Sequence, residues 1–363
     1  MIRAVLLLLG AIGVPLTLLW DFAWESTIGV ELFFGPAHAA NYLAVALAGG
    51  AALRMAVSPT RRGVGGVALG RVRAPFGAWV TLWGALAFAA SLLFDRWWQS
   101  SYGLAAGLWP PPQIAKALSY FAVVAGAWIF WLGRRENASG AVAAALAAGA
   151  LLAMISVVTT PQSFANRQHS AVFYELGCAA FPLVLVAHTS AGRLRAPASA
   201  AALAYMAIIA AAVWILPLVP GSPQAGPVYN PRDHLLPPPF PLLLVIPALG
   251  LDVLLRTSPR RAQRSTSLAS ALELGLAFFC LFAATQWLFA GFLLSPSADD
   301  WFFAGGGREW PFFLRIDPSA RRAFWDAVSP ALDWPSAAIA ALLAVASARA
   351  GLTLGEWLGR VRR

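Results

Sequence analysis

Apolar runs of about twenty residues recur from one end of this chain to the other, and that recurrence limits what it can fold into. Ten of them are read as helices, at 2–20, 36–57, 75–94, 111–133, 139–159, 169–191, 198–219, 238–256, 268–292 and 330–350. An apolar helix pairs its own backbone groups, so it can cross roughly 30 Å of hydrocarbon without leaving polar atoms unsatisfied. Only 12% of the residues are charged, 59% are hydrophobic, and the mean hydropathy is +0.68. Those values exclude an ordinary soluble domain. The expected class is an all-α, polytopic helix bundle of the cell (inner) membrane. Trp20-Asp21 suits a membrane interface and no A-x-A site follows, so the first run is read as a span and not a secretory signal.

Charge orients the bundle. The chain carries 26 basic and 16 acidic residues, a net charge of +10. Eighteen of the basic residues fall on one side of a ten-helix topology. They are Arg3, then Arg54, Arg61, Arg62, Arg71 and Arg73, then Arg134 and Arg135, then Arg193 and Arg195. Arg256, Arg260, Arg261, Arg264, Arg349, Arg360, Arg362 and Arg363 complete the set. By the positive-inside rule both termini are cytoplasmic. The bilayer thus explains the net charge, and no nucleic-acid partner is implied. Asp21, Glu25, Glu31, Asp95, Asp233 and Asp299 lie in or beside the opposite, extracytoplasmic loops. Acidic loops favour cations over anions. Cys178 and Cys280 sit inside apolar runs and are expected to be small core residues outside any disulfide framework.

Two of those outer loops resemble one another. "DFAWESTIGVELFFGPAH" begins at Asp21 and "DRWWQSSYGLAAGLWPPPQ" at Asp95. Asp21, Trp24, Glu25 and Gly29 match Asp95, Trp98, Gln99 and Gly103 at an offset of 74. After a one-residue insertion, Pro36 and His38 match Pro111 and Gln113 at an offset of 75. Each copy follows one helix and opens the next, so the repeated unit is a helix pair. Asp21 and Glu25 share a face if the first helix continues past Trp20. Pro36 suits the first turn of the next helix, which places His38 just inside it. The three side chains can then converge as a divalent-metal set, with Asn41 and Glu31 as further candidates.

This spacing resembles the C subunit of the copper membrane monooxygenases, the particulate methane and ammonia monooxygenase family. That subunit carries Asp-x3-His-x12-His, with Trp before the first His and Pro two before the second. Asp21, Glu25 and His38 fall on those positions, with Trp24 and Pro36 in place. A second copper motif in the family has an acid or amide, His four on and His fourteen further. Asp95, Gln99 and Gln113 fall there. The match covers about forty of 363 residues. A looser similarity links "LPPPFPLLLVIPALGLDVLL" and "REWPFF" to the family's A subunit. The resemblance implies a metal cofactor, a periplasmic cupredoxin-like partner and a homo-oligomer, as well as the lipid bilayer itself.

The departures from the family are chemical. Glu25 replaces one imidazole, which tilts the first set from copper toward zinc, iron or manganese. Gln99 and Gln113 replace both imidazoles of the second, which is expected to be degenerate. Lys116, the chain's only lysine, lies three residues after Gln113 on the same helical face. A lone lysine inside a membrane helix is normally paired. Its expected partner is Asp95, with Lys116 standing where a metal cation would otherwise sit.

Other candidates are more loosely placed. His169 is expected at a helix start and Glu175 about two turns in, where it would be protonated, paired with Lys116 or facing water. His188 lies toward the cytoplasmic end and reads as incidental. Asp233 and His234, in the Pro-rich "GPVYNPRDHLLPPPFP", would either supply a fourth ligand or form a rigid cap. "SPSADDWFFAGGGREWPFFL" reads as an interfacial segment. The chain divides into the duplicated helix pairs (1–138), a middle group of helices (139–219) and a C-terminal region (220–363). Three functions compete. One is a metal-dependent oxidase or oxygenase acting at the outer face. Another is a structural or assembly subunit that kept the fold without the chemistry. The last is a transporter built on the repeats.

Overall fold

The computed structural model describes residues 1–29, 34–58, 66–103, 110–222, 233–257, 267–303 and 330–360. Its helices are α1 (Ile2–Thr27), α2 (Pro36–Ala56), α3 (Phe76–Tyr102), α4 (Pro111–Leu132), α5 (Ala138–Val158) and the single turn α6 (Thr160–Ser163). They continue with α7 (Ala171–Ala191), α8 (Pro197–Ile215), α9 (Val245–Thr257), α10 (Leu268–Leu293) and α11 (Trp334–Arg360). One small hairpin, β1 (Val67–Leu69) and β2 (Val72–Ala74), joins α2 to α3. Nine of these helices, among the described residues, are long and apolar enough to cross a membrane. The chain is an all-helical bundle with the character of a multi-pass membrane protein.

The repeat seen in the sequence becomes two helical hairpins. Helix α1 packs along α2, and α3 along α4. Small residues let the backbones close up. A Cβ on Gly10 would lie 2.6 Å from the Ala48 nitrogen, and one on Gly77 would lie 2.3 Å from that of Phe130. The hairpins also turn alike. The matched glycines Gly29 and Gly103 end α1 and α3 at φ 127° and 82°, and Pro36 and Pro111 open the following helices.

The arginine-bearing ends gather at one end of the bundle. Arg3 at the start of α1 donates to the Arg54 carbonyl at 3.1 Å, and Arg135 after α4 donates to that of Gly359 at 3.2 Å. Asp252 of α9 is buried there and caps the neighbouring helix α8. It accepts from the Ala198 and Ser199 backbone nitrogens at 3.1 and 2.8 Å and from the Ser199 hydroxyl at 2.7 Å. A carboxylate on those unpaired N–H groups is stabilised by the helix dipole. At the other end Asp333 caps α11, accepting from Ser336 N at 2.8 Å. Its hydrogen bonds from Ser336 hold its carboxyl below the usual carboxylate range.

The eighth span corrects the expected helix at 238–256. Helix α9 begins only at Val245. Pro237, Pro238, Pro239 and Pro241 lack amide protons and disfavour helix in the residues before them, so this stretch is not helical. Thirteen helical residues rise about 20 Å, short of a hydrocarbon core. The segment nevertheless reaches from one end of the bundle to the other. Leu236 N bonds Thr27 Oγ1 at the end of α1, and Asp252 bonds the start of α8. Other helices lend the partners that its non-helical backbone needs. Leu242 N donates to Tyr205 Oη and Leu243 N to Gln286 Oε1, both at 3.0 Å. Gln286 continues to Gln168 at 2.7 Å, and Gln168 to the Ser163 carbonyl at 2.6 Å. Irregular backbone is tolerated at membrane depth when protein covers it.

Several smaller expectations also change. Helices α1 and α3 run on to Thr27 and Tyr102, carrying Asp21, Glu25, Asp95 and Gln99 into regular helix. The last helix lies at Trp334–Arg360 and not at 330–350, because α11 starts only after its Asp333 cap. Cys178 is a core residue as expected, but Cys280 is exposed on the outward face of α10. The aromatic segment after α10 shows one 3-10 turn at Pro296–Ala298, and residues 304–329 lie outside the described part.

Candidate metal centre

Helix α1 brings Asp21 and Glu25 to its last two turns, one turn apart and on one face. Helix α2 opens on Pro36 and presents His38 in its first turn. The second helix packs back against the first. One ligand atom from each of Asp21, Glu25 and His38 then lies within 4.8 Å of the others. His38 Nε2 is 3.2 Å from Asp21 Oδ1, and both side chains are largely shielded. Two ligands on one ion with bonds of roughly 2.0–2.2 Å are at most about 4.4 Å apart. A small contraction therefore closes this set around a cation. Among the described residues the buried His38 Nδ1 atom has no hydrogen-bond partner, so only Nε2 of this imidazole is engaged, by Asp21. No other group of three such residues is assembled among the described residues.

The matched place in the second hairpin holds a cation of its own. Lys116 Nζ lies 3.0 Å from Asp95 Oδ2, as the lone lysine led one to expect. The side chains are 19% and 14% exposed, so the pair is mostly withdrawn from solvent. The Gln99 and Gln113 side chains make no hydrogen bond among the described residues. Glu175 is half-buried on α7, and of its three alternatives the pairing with Lys116 is not made, because Lys116 is occupied by Asp95.

Polar and aromatic residues deeper in the bundle join the two hairpins. Asn41 is buried, donates to Thr17 Oγ1 at 3.1 Å and accepts from the Tyr120 hydroxyl. At the repeat's offset of 75 it occupies the position of Lys116. The rings of His38 and Tyr42 are parallel to within 6°, with centroids 6.2 Å apart. Tyr42 contacts Phe88 at 5.9 Å, and Phe88 contacts Tyr120 at 5.0 Å. Sequence reading singled out neither tyrosine. Their signal was positional: Tyr42 is four residues after His38 and Tyr120 four after Lys116, so each shares a face with a charged-site residue.

Among the described residues, none of the remaining candidates joins the three-ligand group. His169 lies before α7, whose cap is Ser170, and its Nε2 sits 3.0 Å from the Trp287 carbonyl. Asp233 and His234 bond each other at 2.7 Å beside the Pro220 bridge near the end of α1. His188 is buried and its Nδ1 accepts from Trp128 Nε1 at 3.1 Å, a structural contact. Glu31 lies outside the described residues. Compared with protein-family models, with curated proteins and with solved structures, the chain matches none.

Proposed function

We propose that this protein is a multi-pass protein of the cell inner membrane that holds one divalent metal ion through Asp21, Glu25 and His38. The observation that carries the reading is the convergence of those three ligand atoms to within 4.8 Å. Two carboxylates with a neutral imidazole also carry the charge that one divalent cation cancels. Oxygen-rich ligation with a single imidazole favours zinc, iron or manganese over copper. The arginine-rich end of the bundle faces the cytoplasm, and the triad lies at the extracytoplasmic end.

The chain is best placed as a divergent relative of the copper membrane monooxygenases, an oxidase or oxygenase-like subunit. A bound ion would supply a Lewis-acidic or redox centre beside an apolar bundle. A second reading, a structural or assembly subunit, is favoured by one observation: Lys116 occupies the matched second place.

Elemental analysis of the purified protein tests the site. One equivalent of metal is expected in the wild type, and His38→Ala and Glu25→Ala each remove it. Binding requires an unprotonated imidazole, so it weakens as pH falls and His38 takes up a proton. Metal unaffected by both substitutions would place it elsewhere, and a metal-free wild type would leave the structural reading. Orientation is checked by labelling introduced cysteines in intact cells. Position 225 should react from outside and position 65 should not.

A further inference from the structure

The triad and the Lys116–Asp95 pair form one charged neighbourhood. Helix α2, which carries His38, packs against both α3 and α4, which carry Asp95 and Lys116. The ring contacts from His38 through Tyr42 and Phe88 to Tyr120 span the space between them. The Lys116 ammonium lies within electrostatic reach of the His38 imidazole. Asp21 and Asp95 both act on Tyr42 and on Tyr120. Counted together, Asp21, Glu25, Asp95 and Lys116 carry a net charge of −2 with His38 neutral. Without the ammonium they would carry −3.

We infer that Lys116 is a tethered counter-ion that sets the charge selectivity of the neighbouring cation site, so that it takes one divalent ion in preference to a trivalent one. The inference rests on the Asp21–Glu25–His38 reading and adds to it a residue that touches no metal. Coulomb energy scales with the charge of the bound ion. Removing a fixed +1 nearby therefore strengthens a trivalent ion more than a divalent one. A fold-gain for the trivalent ion of about the 3/2 power of that for the divalent ion is expected. A residue acting only through packing gives no reason for Lys116→Gln and Asp95→Asn to move the Tb3+/Mn2+ ratio in opposite directions.

The test uses the full-length protein in detergent, with Mn2+ and Tb3+ as the probes. Trp20 and Trp24, which flank Asp21 in sequence, serve to sensitise terbium luminescence. Wild type is expected to bind Mn2+ in a manner lost in His38→Ala. Lys116→Gln should raise Tb3+ affinity more than Mn2+ affinity. Asp95→Asn leaves the ammonium uncompensated and should lower both, Tb3+ more. The double variant removes the pair as a neutral unit and should return the ratio close to that of wild type. Lys116→Arg keeps the charge and should keep the ratio. If Lys116→Gln does not fold, Asp95→Asn, the double variant and Lys116→Arg carry the measurement.

Two results overturn the inference. His38-dependent Mn2+ binding with an unchanged Tb3+/Mn2+ ratio in Lys116→Gln and Asp95→Asn would refute the counter-ion while leaving the metal site standing. Absence of any His38-dependent binding in the wild type would remove the metal site itself, and the counter-ion with it.

Discussion

The two helical hairpins of the N-terminal region are built alike and end in different chemistry. Both turn at a positive-φ glycine, and both open their second helix on proline. In both, a carboxylate near the end of the first helix meets a nitrogen from the second. The nitrogen is His38 Nε2 in one and Lys116 Nζ in the other. His38 lies in the first turn of its helix, while Lys116 lies one turn deeper, at the position of Asn41. A long, flexible lysine reaches back up to its acid. Asn41 is too short to do so, and instead bonds sideways to Thr17 and Tyr120. One scaffold thus ends in a carboxylate–imidazole group in one hairpin and in a closed ion pair in the other. The difference rests on very few side chains.

The largest effect should come from exchanging those side chains. Gln99→Glu, Gln113→His and Lys116→Asn together give the second hairpin the residues of the first. Metal content is then expected to rise from one equivalent to two. A content that stays at one would show that the hairpins differ in backbone geometry and not only in side chains.

A smaller effect tests the closed pair. Lys116→Ala leaves the Asp95 carboxylate largely buried and alone, and uncompensated buried charges cost about 3–5 kcal/mol. Because this pair keeps some solvent contact, the loss should fall at or below the lower bound. Asp95→Asn with Lys116→Met should cost less than either single change. Additive losses in thermal unfolding would show that the two residues do not act together.

The smallest effect sharpens the shared part of the comparison. Gly103 has φ 82° and ψ −178°, a region that side chains rarely enter, and a Cβ there would meet no atom within 4 Å. Gly103→Ala should therefore cost only backbone strain, about 1–3 kcal/mol. A loss well beyond that would mean that the turn is held by more than its backbone angles.

Much of this was legible in the residue order, for a physical reason. Hydrocarbon length and self-paired backbone make apolar runs readable, so nine spans lie close to where their periods put them. Proline acts locally, and Pro36 therefore marked the first turn of α2 correctly. A spacing of four residues places Asp21 with Glu25 in any helix that continues that far. The Lys116–Asp95 pair followed from the cost of leaving a lone charge in an apolar segment.

Tertiary structure decided the rest. The proline run at 237–241 could be read as a helix start, and only the side chains of Tyr205, Gln286 and Thr27, distant in sequence, satisfy a non-helical path there. His169, expected to open a helix, instead meets Trp287 118 residues away. Tyr42 and Tyr120 join the two hairpins through Phe88, a contact that no local period contains. Span positions, turn positions and the candidate ligands were set by sequence, because apolar period and backbone stereochemistry act within a few residues. Which polar groups meet across the bundle was set by packing between helices far apart along the chain.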